Sequence, residues 1–293
     1  LTIFPNLKTA ECVCKNGEKY FELICEPVQQ EILPGVFLRC YGYNGSTPGP
    51  AIICCPGDCV NIRIVNKLPE ETSCTWVGVN TPNRMDGIPN VEPTPVIRPG
   101  DYYDYRFTVP YSGGTHFYQS GCNAAYQIPK GCVGPFVILD RSSSIFNRDY
   151  CLTLQEFSAP AMPTGAVKAG VFDIDPFANS FNFFCLNGKC YPNISALDVA
   201  SGDACRIRLC NPSCTNSTMH LNGHQFVVVS NDGNAAKTRD ARNTISCAAG
   251  QTCDIALNCD NPGYWPFANG RPLSRSNNKC RELGGMCTTL NYL

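Results

Sequence analysis

Charge is scarce in this chain. Only 16% of its 293 residues are Asp, Glu, Lys or Arg, against about 25% in an average globular protein. The net charge is −1 and the two signs are interspersed, so there is no basic stripe and nucleic acid is excluded as a partner class. Histidine is nearly absent: His116, His220 and His224 are the whole supply. No apolar run approaches the roughly 18 residues that a membrane span needs. There is no phosphate-cradling glycine loop, no Gly-x-Ser-x-Gly elbow and no Cys-x-x-Cys pair, which removes the usual signatures of NTPases, serine hydrolases and zinc ribbons. Helical periodicity is scarce too. The chain opens on Leu1 with no charged-then-apolar leader, and we read it as a mature chain whose signal peptide has been removed.

Cysteine is abundant instead, at 21 residues. That number would be a liability in a reducing cytosol and points to a secreted or cell-surface protein, rich in disulfides. The sequons at Asn44, Asn193 and Asn216 agree and predict N-linked glycans. An odd count leaves at least one thiol unpaired, modified or bonded to another molecule. Ten cysteines precede residues 141–147 and eleven follow, so the odd thiol is expected in the second half if no bridge crosses between halves. Spacing does not fix the pairing; the adjacent Cys54 and Cys55 point to opposite faces of one apparent strand.

Apolar and polar residues alternate through 60–64, 103–109 and 206–209, the period of half-buried antiparallel strands. With 23 prolines and 25 glycines as punctuation, this predicts an all-β chain of sandwich or Greek-key type. Strands are expected at 58–66, 102–109, 204–209 and 225–230. One segment occurs twice: Gly57-Asp58-Cys59-Val60-Asn61-Ile62-Arg63-Ile64-Val65-Asn66 returns as Gly202-Asp203-Ala204-Cys205-Arg206-Ile207-Arg208-Leu209-Cys210-Asn211. Gly, Asp, Ile, Arg and Asn recur in place. Pro99-Gly100-Asp101 is likewise echoed by Ala249-Gly250-Gln251. Two tandem domains follow, 1–145 and 146–293, joined near the Ser-rich stretch 141–147.

Several segments, in order, resemble the multicopper oxidases of the laccase and ascorbate oxidase type. Asn44-Gly45-Ser46-Thr47-Pro48-Gly49-Pro50-Ala51-Ile52 is similar to the family's Asn-Gly-x-x-Pro-Gly-Pro-x-Ile strand, and Met85-Asp86-Gly87-Ile88-Pro89 continues the likeness. Gly113-Gly114-Thr115-His116-Phe117-Tyr118-Gln119-Ser120-Gly121, Leu186-Asn187-Gly188-Lys189 and Leu221-Asn222-Gly223-His224-Gln225-Phe226 extend it into both halves. The resemblance implies two cupredoxin-like sandwiches corresponding to the family's first two domains, with no counterpart of the third. It also implies that Thr75, Val77, Gln119 and Gly121 stand where the family's first domain keeps copper-binding histidines. No metal or other cofactor is therefore expected, and no catalytic residue.

His220 and His224, four apart on one apparent strand, would lie on the same face but some 13 Å apart at about 3.3 Å per residue. His116 reads as a packed strand residue. The expectation from sequence is a non-catalytic, self-assembling or interacting extracellular glycoprotein, a component of a matrix, coat or filament. Its partners would be copies of itself, other extracellular proteins or polysaccharides. The uncharged surface around 75–78 and 119–122 is expected to lie exposed for such contacts. The alternative is a small-ligand or carbohydrate binder using the cleft between the domains, near Trp76 and Trp265. A residual copper oxidase is the remote third reading.

Overall fold

The computed structural model describes residues 1–139 and 145–293. The expected join at 141–147 falls largely outside the described residues. On either side of it stands a two-layered β-sandwich, each closed by the apolar faces that the alternation marks out.

In the first sandwich one sheet runs in the order Gly170–Asp173, Val36–Tyr43, Glu18–Leu33, Cys59–Asn66, Tyr102–Thr108, with Val13–Lys15 also paired to Glu18–Leu33. The facing sheet runs Ile52–Cys54, Val133–Ile138, Gly114–Gln119, Thr75–Val77. Phe21, Leu23, Ile62, Ile64, Trp76, Tyr105, Tyr118 and Phe136 fill the space between. In the second sandwich the order Phe183–Leu186, Arg148–Phe157, Ala204–Asn211, Gln251–Asn258, Phe226–Asn231, Asn234–Ala235 faces a sheet of Leu197–Val199, Cys287–Tyr292, Tyr264–Asn269, Ser217–Leu221 and Thr244–Cys247. Leu152, Ile207, Leu209, Phe226, Ile255, Phe267 and Leu290 lie in its core. The expected strands are present as Cys59–Asn66, Tyr102–Thr108, Ala204–Asn211 and Phe226–Asn231.

The repeat is structural as well as sequential. Cys59–Asn66 lies parallel to Glu18–Leu33 and antiparallel to Tyr102–Thr108. Ala204–Asn211 lies parallel to Arg148–Phe157 and antiparallel to Gln251–Asn258. The strands end alike. The Asn66 amide donates to Glu70 O and Ile97 O, each at 2.8 Å, and the Asn211 amide donates to Thr215 O and Cys247 O, each at 2.9 Å. Gly100 N and Gly250 N then donate to the carbonyls of Asn66 and Asn211. Each asparagine ties its strand to the following loop with both amide hydrogens used, which is what a buried carboxamide requires.

The halves are more entwined than tandem beads. Gly170–Asp173, from the second half of the sequence, pairs in parallel with Val36–Tyr43 and extends the first sandwich's sheet. Val28, Ile32, Leu38 and Cys40 of the first half share a core with Phe157, Met162, Phe183, Cys185 and Cys190 of the second. Phe4, Phe117 and Val137 share another with Cys151 and Cys210. The helix Ala124–Lys130 stops at Gly131, whose φ of 113° suits glycine and whose Cα leaves no room for a side chain beside Thr47 and the Tyr41 carbonyl.

The cysteines are all thiols in this structure, and the disulfide-rich expectation is not met. Several nonetheless approach one another: Cys25 and Cys132 sulfurs at 3.7 Å, Cys151 and Cys210 at 3.9 Å, and Cys185 and Cys190 at 2.8 Å. Among the described residues, no helix is long and apolar enough to cross a membrane.

Candidate functional site

The strand pair Thr75–Val77 and Gly114–Gln119 brings the four positions singled out by the resemblance to one place. Thr75 lies directly opposite Gln119, and Val77 opposite Phe117. Their chemistry is a hydroxyl, an isopropyl group, a carboxamide and, at Gly121, no side chain at all. Position 121 is closed by packing: a Cβ there would collide with Gly87 O and crowd Ser73 Oγ. Gly87 in turn has φ of 100°, and a Cβ on it would strike Cys74 O, so three stretches of backbone meet without side chains between them. Ser73 Oγ donates to Gly87 O at 2.7 Å.

The polar groups around this place are already satisfied. Fully buried Gln127 accepts from Thr72 Oγ1 and Ser120 Oγ, and donates to Glu70 Oε1 and Glu71 O, all within 2.8 Å. The surface expected to lie open at 75–78 and 119–122 is therefore largely roofed. Thr75 and Ser120 are buried, while Val77, Gln119 and Gly121 are half-buried. The Gly87 turn supplies the cover.

The histidines are dispersed. His220 ends on the Ser217–Leu221 strand with Nδ1 2.8 Å from Thr244 Oγ1. His224 is not on that strand, because the chain turns at Asn222-Gly223, with Gly223 at φ 70°. Its Nε2 lies 2.6 Å from the Tyr292 hydroxyl and its ring stacks on that of Tyr292. The same-face reading fails for that reason. Both histidines do line one open polar groove of about 510 Å³, together with Asn222, Gln225, Asn243 and Asp260. Trp265 flanks His224 edge-on, whereas Trp76 is fully buried in the first core and meets no ligand space. Between the halves, the space beside Gln155, Glu156 and Ser213 is only about 20 Å³, room for a water and not for a ligand.

His116 sits at the contact between the halves. Its ring is wedged between Gly78 of the first and Gly233 of the second, each too close for a Cβ. Its Nδ1 has no hydrogen-bond partner. Burial, followed by the nearby Arg208 guanidinium, depresses its pKa to about 4, with Asp232 opposing.

Beside it lies a buried ion network that the alternation pattern does not reveal. Arg206 and Arg208 read as the polar face of a half-exposed strand, yet they are 2% and 0% exposed. Both guanidinium groups clasp Asp149, with four N–H donations between 2.9 and 3.1 Å. Arg208 also donates to Thr115 Oγ1 of the first half at 2.7 Å, and Thr115 donates to Asp254 at 3.0 Å. Thr2 Oγ1 donates to Asp149, and Thr252 Oγ1 to Thr115 O. The arginine pair and the two aspartates balance, and planar guanidinium forks suit such a clasp better than lysine would. Two arginines on one short strand, with Asp149 and Asp254 also placed in apolar strands, were the available signal.

The sequons differ in freedom. Asn44 is engaged at both ends, accepting from Ile24 N at 2.6 Å and donating to Glu22 O at 2.9 Å. Asn193 is half-buried with its amide 3.5 Å from Ile32 O. Asn216 is exposed and accepts from Ala249 N at 3.1 Å.

Comparison with known proteins places this architecture. The profile of a multicopper oxidase domain matches residues 26–143, and a second multicopper oxidase profile matches 163–268. The chain is 29% identical over 239 residues to laccase-5 of Trametes villosa, covering 76% of this chain and 44% of that one. It is 25% identical over 264 residues to the multicopper oxidase mco of Staphylococcus haemolyticus, covering 87% and 56%. It thus spans about half the length of the curated relatives it matches. The blue copper oxidase structure from Nitrosomonas europaea superposes with a TM-score of 0.83 at 23% identity, covering 94% of this chain and 86% of that one. Two sandwiches with this strand order define the cupredoxin-like class. The chain belongs to the multicopper oxidase family.

That membership corrects one expectation. The sequence reading placed the chain outside catalysis, but the relatives it matches are laccases and multicopper oxidases, which are enzymes. Copper is the metal this family implies, and copper takes imidazole and thiolate donors. Thr75, Val77, Gln119 and Gly121 do not fit it, since they offer neither. Among the described residues no three His, Cys, Asp or Glu side chains converge as a metal cluster.

Proposed function

We propose that this chain is a secreted glycoprotein of the multicopper oxidase family with a structural or interaction role, associating with copies of itself or with other extracellular proteins and polysaccharides. One observation carries the reading: the two sandwiches are locked into one body by buried hydrogen bonds and shared cores, while large apolar side chains such as Val91, Tyr111, Phe177 and Tyr264 are left exposed. A rigid body with so little surface charge meets little like-charge repulsion when it packs against copies of itself or against extracellular polymers. Sedimentation of the native protein across a hundredfold concentration range, alone and with cell-wall polysaccharides, tests it. A monomer at every concentration that pellets with no polymer would sink the proposal. A phenol-oxidation assay on the copper-treated protein reports separately on the family's chemistry.

A second reading has its own observation, the polar groove of His220, Asn222, His224, Gln225, Asn243 and Asp260. Its volume and its mixture of amides, imidazoles and one carboxylate suit a small polyhydroxylated ligand. Calorimetric titration with a panel of oligosaccharides, repeated on Asp260→Ala, separates the two readings.

A further inference from the structure

We propose that Cys185 and Cys190 are a disulfide-forming pair, closed during folding in an oxidising compartment, and that their bond pins the hairpin through which the second half of the molecule grips the first. The inference goes beyond the proposed role and stands whether or not the chain associates.

The backbone makes the case before the sulfurs do. Leu186 and Lys189 exchange both of their hydrogen bonds, Leu186 N to Lys189 O at 2.8 Å and Lys189 N to Leu186 O at 3.0 Å. Asn187 and Gly188 between them have φ of 49° and 73°, the two-residue turn with both centres left-handed that suits a tight hairpin. The next pair outward is Cys185 and Cys190. It is a non-hydrogen-bonded pair, since Cys190 N turns away to Ile32 O. Such pairs hold their Cα atoms about 4.5 Å apart, inside the roughly 4.4–6.8 Å that a disulfide spans. The two sulfurs lie 2.8 Å apart, closer than unbonded sulfurs pack. Two other close pairs, Cys25–Cys132 and Cys151–Cys210, stand further off, at 3.7 and 3.9 Å. Cys151 and Cys210 also lack the opposed register, because Cys151 faces Arg208 and Cys210 faces Thr153.

This hairpin is an interdomain tongue. Gln30 Nε2 donates to Gly188 O at 3.0 Å, Asn187 Nδ2 donates to Pro5 O at 2.9 Å, and a Cβ on Gly188 would strike Thr47 O. Both cysteines are fully buried in the core that the two halves share. Burial pushes the Cys185 thiol up, so in the folded chain it is a poor nucleophile, and exchange belongs to the stage before the tongue docks. The oxidant is a small or protein disulfide. One cysteine thiolate attacks it and forms a mixed disulfide, expelling one thiolate. The second cysteine thiolate attacks the protein sulfur of that mixed disulfide and expels the other. Two chain thiols lose two protons and two electrons, and one disulfide is reduced to two thiols.

Lys189 makes the test direct, because tryptic cleavage after it separates the two cysteines unless a disulfide joins them. The full chain is refolded in mixed oxidised and reduced glutathione, or in reductant alone, then alkylated in denaturant and digested without reduction. Because the second peptide, residues 190–206, also holds Cys205, both samples use a Cys205→Ala chain: in the glutathione sample its two peptides are expected joined, lighter by two hydrogens and unlabelled, and in the reductant sample they separate with one label each. Alkylation of both cysteines in the glutathione sample overturns the proposal, as does linkage of either to Cys40, the neighbouring thiol in the same core. Cys40→Ala is expected to leave the joined peptides unchanged, and their loss in that variant also overturns it.

Discussion

Arg63 and Arg208 occupy the same place in the repeated segment, and each faces an aspartate directly across an antiparallel pair: Arg63 opposite Asp104, Arg208 opposite Asp254. In the first half the pair lies near solvent, bidentate at 2.7 and 2.9 Å, with the side chains 30% and 19% exposed. In the second half the same face of the same sheet is covered by the other sandwich. There Arg208 is fully buried, its contact to Asp254 stretches to 3.4 Å, and its stronger bonds go to Asp149 and to Thr115 across the interface. The aspartates respond in opposite directions. The Arg63 guanidinium holds the Asp104 carboxyl below its usual range, whereas burial raises Asp254, Arg208 only partly offsetting it. Asp254 Oδ1 has no partner at all. The same cross-strand pair decorates the surface of one sandwich and stands at the domain contact in the other.

Breaking each pair should separate them most. Arg208→Ala leaves Asp254 and part of Asp149 uncompensated in the interior, which typically costs about 3–5 kcal/mol. Arg63→Ala removes an ion pair that water can replace, worth about 0–1 kcal/mol. Urea denaturation of both variants checks this, and equal losses would show that the interface network carries no special weight.

Acid should act chiefly on the contact side. His116 titrates at about 4 in the folded chain, below the roughly 6.5 of an unfolded histidine. Its contribution is fully present above pH 6.5 and is lost as the pH falls through the folded value. A depression of that size corresponds to about 3 kcal/mol. Measured from pH 7 to 4, wild type should lose stability more steeply than His116→Gln, and parallel curves would contradict the wedged, unprotonated ring.

The strand-end asparagines predict sameness where the ion pairs predict difference. Asn66→Ala and Asn211→Ala each strand one buried and one half-buried carbonyl acceptor and should each cost about 1–3 kcal/mol. Thermal melts of the two variants that differ by more than the smaller loss would show that the repeat is not energetically equivalent.

Much of this was legible in the sequence, for physical reasons that can be named. Period-2 alternation located Cys59–Asn66 and Ala204–Asn211 because one face of each is apolar, and the repeated Gly-Asp and Asn positions mark loop contacts made twice. Alternation says that a strand has two faces but not what covers the second, so Arg206 and Arg208 read as solvated. The four-residue strand Gly170–Asp173 carries too little pattern to announce that it crosses to the other sandwich. His224 was misplaced because Asn222-Gly223, a turn signal, was read through as strand. At the resemblance-derived site the identities of Thr75, Val77, Gln119 and Gly121 were plain. The roof over them was not, since it depends on the backbone of Gly87 meeting Gly121 from a distant loop.

The smallest effect is also the most specific to the comparison. Asp104 binds its proton more weakly folded than unfolded, so its contribution is present above the unfolded value near 3.8 and is lost as the pH falls through the folded one. Asp254 binds its proton more strongly folded, so its contribution is present below that value and is lost as the pH rises through the folded one. Replacing each by asparagine removes the titration without changing the shape. Subtracting each variant's pH–stability curve from that of wild type should therefore give slopes of opposite sign, rising with pH for Asp104→Asn and falling for Asp254→Asn. The Asp104 difference should stay within about 1 kcal/mol, because solvent screens a pair so near the surface. Two slopes of the same sign would mean that the buried aspartate keeps its charge as readily as the exposed one, and that Arg208 serves Asp254 as fully as Arg63 serves Asp104.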